Sequence, residues 1–156
     1  MAQKILIALD DSENALRCVE LAAKSFSADN TIVLFNVMLD TAALCHMESP
    51  ELTPLFRSQQ SAFCTLEDKK RELVMAAMQK ARQVLLSAGF TEKNIEIKVE
   101  NKKLGVARDI LAEAEKGYDM IVMGRRGISG LKEFFLGSIS QKVFTGAKDI
   151  SVLIAN

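Results

Sequence analysis

Short apolar runs alternating with helical stripes constrain this chain more than any other feature. Residues 4–9, 31–37 and 118–123 are nearly continuous in Ile, Leu, Val, Ala, Phe and Met, the pattern of strands covered on both faces. Ile95, Ile97 and Val99 instead alternate with charged residues, which predicts an exposed strand at a sheet edge. A last strand is expected over residues 151–155. Between these runs the period changes. Leu16, Val19, Ala22, Ala23 and Phe26 recur at helical spacing over about 13–27, with Ser12 as N-cap. A long helix is predicted over about 66–88, with Leu73, Val74, Ala77, Ala81, Val84 and Leu85 inward and Gly89 closing it. Gly105 opens a further helix to residue 115, and another runs from Gly137 to about 145. Strands alternating with helices predict a parallel sheet covered by helices on both faces, an α/β architecture in three layers. Such sheets bind ligands beyond the carboxyl ends of their strands, where the strand order reverses. Asp10, Val37 and the residues after Met123 all fall at carboxyl ends and can converge.

With 156 residues, 49% of them hydrophobic, the chain is expected to form one domain over residues 1–156. Its 20 basic and 20 acidic residues cancel, which argues against a nucleic-acid or anionic-membrane binder with a broad basic field. No stretch approaches the roughly 20 apolar residues of a bilayer span, and the chain enters its first strand without a leader-like segment. A cytoplasmic protein is expected. Cys18, Cys45 and Cys64 are odd in number and widely spaced, so no disulfide framework is expected and a reducing compartment fits.

Periodicity fails between residues 40 and 65, where both prolines, Pro50 and Pro54, lie. An irregular flap is predicted there. Cys45, His46, Glu48 and Cys64 are metal-type residues in that segment, but they lack the paired spacing of a structural zinc site. The mixed run Glu67, Asp68, Lys69, Lys70, Arg71 and Glu72 reads as a solvated helix face. The methionines, Met75 and Met78 among them, read as core filler.

The chemistry concentrates after the fourth strand. Met123-Gly124 leads into Arg125-Arg126-Gly127, Gly130 and Lys132, and then Gly137-Ser138-Ile139-Ser140 opens a helix. Glycines let backbone N–H groups approach a ligand, and a helix N-terminus adds free donors and partial positive charge. Such a strand–glycine–helix junction is an anion cradle, and phosphate is the expected anion. It is not a P-loop, because no glycine precedes a Lys-Ser or Lys-Thr pair, and the glycine spacing does not fit a dinucleotide fingerprint. Asp10 and Asp11 suggest Mg²⁺ after a first strand, as in phosphoryl-receiving domains. The acceptor aspartate and lysine such a domain needs are replaced by Glu100-Asn101 and Asn156.

Gly124, Gly127, Gly137 and Ser138 match a nucleotide signature of glycine, two residues, glycine, nine residues, glycine and serine or threonine. With the strand closing on Asp10, the Phe35-Asn36-Val37 strand end and Gly105-Val106-Ala107-Arg108-Asp109-Ile110, the chain resembles the universal stress protein family over nearly its full length. Asn36 stands where family members commonly carry histidine. The resemblance implies a five-stranded parallel sheet in order 3-2-1-4-5, of the adenine-nucleotide α-hydrolase-like kind. It also implies ATP, or AMP or ADP, held by Ala8, Leu9, Asp10, Val37, Met123, Gly124, Arg126, Gly127, Gly137, Ser138, Ile139 and Ser140. In that reading Asp10 lies near the adenosine and the Val37 backbone meets the base, while Gly124, Arg126, Gly127, Gly137, Ser138 and Ser140 serve the phosphates. A homodimer through the last strand, residues 151–155, is implied as well. The expected role is regulatory, a stress-response protein whose partner binding follows nucleotide occupancy. The alternative is a slow Mg²⁺-dependent ATP hydrolase or adenylate-transferring enzyme with Asp10 as metal ligand; no general base is evident beside the expected γ-phosphate.

Overall fold

The computed structural model describes residues 1–10, 12–47, 53–125 and 136–156. Its elements are β1 (Lys4–Ala8), α1 (Glu13–Ser25), β2 (Thr31–Met38), α2 (Ala42–Cys45), α3 (Pro54–Ser87), β3 (Ile95–Asn101), α4 (Val106–Ala114), β4 (Met120–Gly124), α5 (Ser138–Gly146) and β5 (Ser151–Ala155), with one 3₁₀ turn at Glu92–Asn94. The strands form a single sheet in the order β3-β2-β1-β4-β5, every neighbouring pair parallel. Direction of winding reverses at β1, which has β2 on one side and β4 on the other. Ala8, the last residue of β1, is in register with Phe35 and with Met123. The switch point therefore lies just beyond Ala8.

Strand residues alternate between two cores. Ile5, Ile7, Ile32 and Leu34 pack with Val19 and Ala22 of α1 and with Val74, Met78 and Leu85 of α3. Leu6, Val33, Phe35, Ile121 and Met123 pack with Ala107 and Ile110 of α4 and Val143 of α5. Burial on both faces explains why β1, β2 and β4 read as unbroken apolar runs, and β3, at the edge, does not. Ser12 caps α1, its Oγ accepting from the Ala15 amide at 3.3 Å. Gly89 ends α3 at φ 97°. Its amide donates to Leu86 O at 3.0 Å and that of Phe90 to Leu85 O at 3.1 Å, the pair of bonds that defines a Schellman turn.

Three expectations fail around α3. The helix starts at Pro54, about a dozen residues before the predicted start, capped by Thr53 Oγ1, which accepts from the Phe56 amide at 3.3 Å. A short helix, α2, stands in what was expected to be an irregular flap. The buried stripe is Val74, Met78, Ala81 and Leu85, so Leu73, predicted inward, is 59% exposed, and Met75 is exposed too. Carried back towards the N-terminus, the true stripe passes through Lys70, Glu67, Phe63, Gln60 and Phe56. Its polar members hide the helical period.

The cysteine expectation fails as well. Cys45 and Cys64 are bonded, with Cα atoms 5.8 Å apart across 19 residues of chain. The packing of α2 against α3 brings together residues whose sequence spacing carries no signal. Cys18 remains a free, buried thiol.

One buried charge ties α4 to the sheet. Glu113, 4% exposed, accepts from Lys98 Nζ of β3 at 2.9 and 3.0 Å, from Lys116 Nζ at 2.8 Å and from the Tyr118 hydroxyl at 2.8 Å. Burial alone would push its carboxyl up, but the bonds from Lys116, Lys98 and Tyr118 outweigh it and hold the pKa down at about 2. The Tyr118 hydroxyl moves the opposite way, raised by burial and then by the Glu113 carboxylate it donates to. Among the described residues no helix is long and apolar enough to cross a membrane.

Candidate functional site

A cavity of about 400 Å³ opens over the switch point, within the size range of small-molecule sites. Its floor is the carboxyl ends of three strands: Ala8, Leu9 and Asp10 after β1, Phe35 to Leu39 at β2, Met123 and Gly124 at β4. One wall is the mouth of α5, Gly137 to Ser140, with Val106 and Ile110 of α4; the other carries Ala15 of α1 and Lys70 and Val74 of α3.

The backbone at the floor is arranged by the sheet itself. β1 stops opposite Phe35, and the Leu9 amide makes the last bond across, to Phe35 O at 2.9 Å. Amide and carbonyl of Val37 point to the same side of β2 as those of Phe35, since the strand repeats every two residues. No strand lies opposite them among the described residues, so one donor and one acceptor, side by side, face the cavity. Asn36 pins the neighbouring turn: its Nδ2 donates to Leu9 O at 2.7 Å. Its Oδ1 is buried without a hydrogen-bond partner among the described residues. Leu9 is thus held at both its amide and its carbonyl, which fixes where Asp10 begins. Asp10 Oδ1 accepts from the Ser12 amide at 2.9 Å. The Cys18 thiol is pushed up to about 11, first by burial and then by the charge of Asp10.

Opposite this floor stands an uncapped helix. Gly137, the N-cap of α5, has no side chain to offer, and the first described intrahelical bond runs from the Gln141 amide to Gly137 O at 2.8 Å. The first-turn amides of Ser138, Ile139 and Ser140 precede that bond and point out of the helix mouth. Two bonds seat this mouth against β4. The Gly137 amide donates to Arg125 O at 2.7 Å, and the Ser140 hydroxyl donates to Gly124 O at 2.7 Å. Arg125 in turn donates its amide to Ala155 O at 2.8 Å. Ser140 is buried, and its single hydroxyl proton is committed to Gly124.

The model of the Universal stress protein family matches residues 1–155. The chain belongs to that family. It is similar to the universal stress protein YxiE of Bacillus subtilis, 29% identical over 147 residues that cover 92% of each chain. Among solved structures it is similar to the universal stress protein UspA from Lactobacillus plantarum, with a TM-score of 0.70, 19% identity, and 99% and 97% of the two chains covered. It is also similar to a universal stress protein in complex with cAMP, with a TM-score of 0.65, 19% identity and the same coverage. The 3-2-1-4-5 parallel sheet with helices on both faces is the architecture these structures share, the adenine-nucleotide α-hydrolase-like fold.

In this universal stress protein, Ala8, Leu9, Asp10, Val37, Met123, Gly124, Gly137, Ser138, Ile139 and Ser140, scattered over the whole sequence, surround one cavity. Arg126 and Gly127 lie outside the described residues, as do Asp11, Glu48 and Lys132. Sequence reasoning gave neither Asn36 nor Lys70 a place at the site. Asn36 was visible as the one polar residue inside an apolar strand, whereas Lys70 was hidden in a mixed-charge run. Among the described residues no three His, Cys, Asp or Glu side chains are grouped to hold a metal. Asp10 is the one carboxylate on the cavity's described lining, already accepting one backbone bond.

Proposed function

We propose that this universal stress protein binds an adenine nucleotide, ATP or its AMP or ADP relatives, in the cavity at the switch point. The observation that carries the reading is the convergence of three unlike groups on one cavity. The paired Val37 amide and carbonyl match the donor and acceptor on the edge of an adenine ring. The Asp10 carboxylate, whose second oxygen has no hydrogen bond among the described residues, suits ribose hydroxyls. The bare mouth of α5 suits phosphate, with Ser138 and Ile139 amides as donors and helix charge behind them. Met123 packs below the base or sugar, and Gly124 and Gly137 line the phosphate path. Ser140 serves by seating the helix mouth against Gly124; to contact phosphate directly its hydroxyl would have to turn away from that carbonyl. Mg²⁺ would enter with the nucleotide, Asp10 contributing at most one ligand and phosphate oxygens and water the others.

The role is regulatory: nucleotide occupancy changes what the protein contacts in a cytoplasmic stress response. Dimerisation fits the edge position of β5, whose outer side has no strand neighbour among the described residues and whose pairing with a second copy would continue the sheet. Isothermal titration with ATP tests the reading. One site per chain with micromolar affinity is expected, and absence of heat at high micromolar nucleotide would refute it.

A further inference from the structure

A covalent bridge joins the floor of the cavity to one of its walls. On one side β2 runs out through Met38 and Leu39; on the other α3 supplies Lys70 and Val74. Cys45 follows Leu39 by six residues, and Lys70 follows Cys64 by six. The Cys45–Cys64 disulfide therefore links two arms, one ending on the floor of the cavity and the other on its α3 wall. Along α3 the arm from Cys64 to Lys70 is about 9 Å.

The disulfide matters because α3 is otherwise weakly held here. It has no buried residue before Val74. Its first turns are held by contacts to α2, among them the disulfide and Gln60 Nε2, which donates to the carbonyls of Leu44 and Met47. Lys70 and Asp10 are the two charged side chains on the described lining of the cavity. None of the ion pairs among the described residues uses Lys70, so its ammonium is free for an anion.

We propose that the Cys45–Cys64 disulfide is a redox clasp on the cavity. Oxidised, it holds Lys70 where its ammonium meets the phosphates of a bound nucleotide; reduced, it releases α2 from α3 and weakens binding. This rests on the nucleotide reading above. The electrons come from a small dithiol. One thiolate of the dithiol attacks a sulfur of the pair, expelling the other cysteine and forming a mixed disulfide. The second thiolate then closes the dithiol into its own disulfide and expels the first cysteine. Two electrons pass to the protein, and the two cysteine thiolates take up the two protons the dithiol released. Cys45 and Cys64 are both partly exposed to such a reagent. Cys18, 1% exposed and high in pKa, stays out of the exchange. Disulfides in reducing compartments are commonly transient and redox-sensing, which reconciles this bond with a cytoplasmic protein.

Calorimetric titration of ATP into the full chain, oxidised and after dithiothreitol, tests the clasp. Reduction is expected to weaken ATP by about fivefold to tenfold. Cys64→Ser should match the reduced protein and lose its response to dithiothreitol. Lys70→Gln, which leaves the disulfide and the buried stripe of α3 intact, should bind weakly in both states with no redox difference. Circular-dichroism melts of each sample establish that the sheet and its helices remain folded. Equal affinity in the two redox states, with binding intact, would overturn the clasp and leave the nucleotide reading standing. No heat in either state would overturn both.

Discussion

Replacing Glu113 by alanine is expected to destabilise the fold by about 3 kcal/mol at neutral pH. The substitution leaves Lys98, Lys116 and the Tyr118 hydroxyl without the acceptor that all three share, and it opens space under α4. Glu113 also makes stability depend on pH in a definite direction. Its carboxyl titrates at an ordinary value near 4.5 when unfolded and at about 2 in the fold. Between those values the unfolded chain binds more protons, so stability rises with pH. The contribution of about 3 kcal/mol is complete above the unfolded pKa and is lost as pH falls through about 2. Urea denaturation of wild type and Glu113→Ala at pH 7 and pH 3 measures it. The difference between the two proteins should shrink on acidification. A difference that is the same at both pH values would mean that packing, not the ionised carboxylate, is what alanine removes.

Ser138→Glu should weaken ATP by roughly a hundredfold, about 3 kcal/mol, while leaving the fold as stable or slightly more so. Ser138 is exposed at the first position of α5. A carboxylate there faces the helix N-terminus favourably, adding about 0.3–1 kcal/mol to stability. The same charge repels a polyphosphate and competes for the first-turn amides. The two effects have opposite signs, which separates loss of the ligand from loss of the fold. Thermal melting and ATP titration of one variant report both. Unchanged ATP affinity would remove the α5 mouth from the site.

The strands and the floor of the cavity were legible because burial on both faces writes a continuous apolar run. Asp10, Val37 and Gly124 could be placed at carboxyl ends from those runs alone. The resemblance added Ala8, Leu9 and Ile139, which carry no chemistry that would single them out. What stayed hidden lies on α3 and before it. The N-terminal half of α3 faces α2 and a cavity rather than the core and has no need of an apolar stripe, so Gln60, Glu67 and Lys70 occupy its inner face and residues 54–65 show no period. Leu73 misled in the opposite sense, an apolar residue one position away from the buried Val74. Cys45 and Cys64 pair only because α2 folds back on α3. Asn36 was noticed as a departure from the family, but its bond to the Leu9 carbonyl depends on strand register that only three-dimensional structure supplies.

The central claim is that the Val37 backbone and the α5 mouth hold the two ends of one adenine nucleotide. Titration of ATP into ¹⁵N-labelled protein, followed by amide resonances, tests it most directly. The amides of Leu9, Val37, Ser138 and Ile139 are expected to shift together and saturate with a single affinity. If they stay in place at saturating ATP, or the shifts gather on another face of the sheet, the nucleotide is not held where this account puts it.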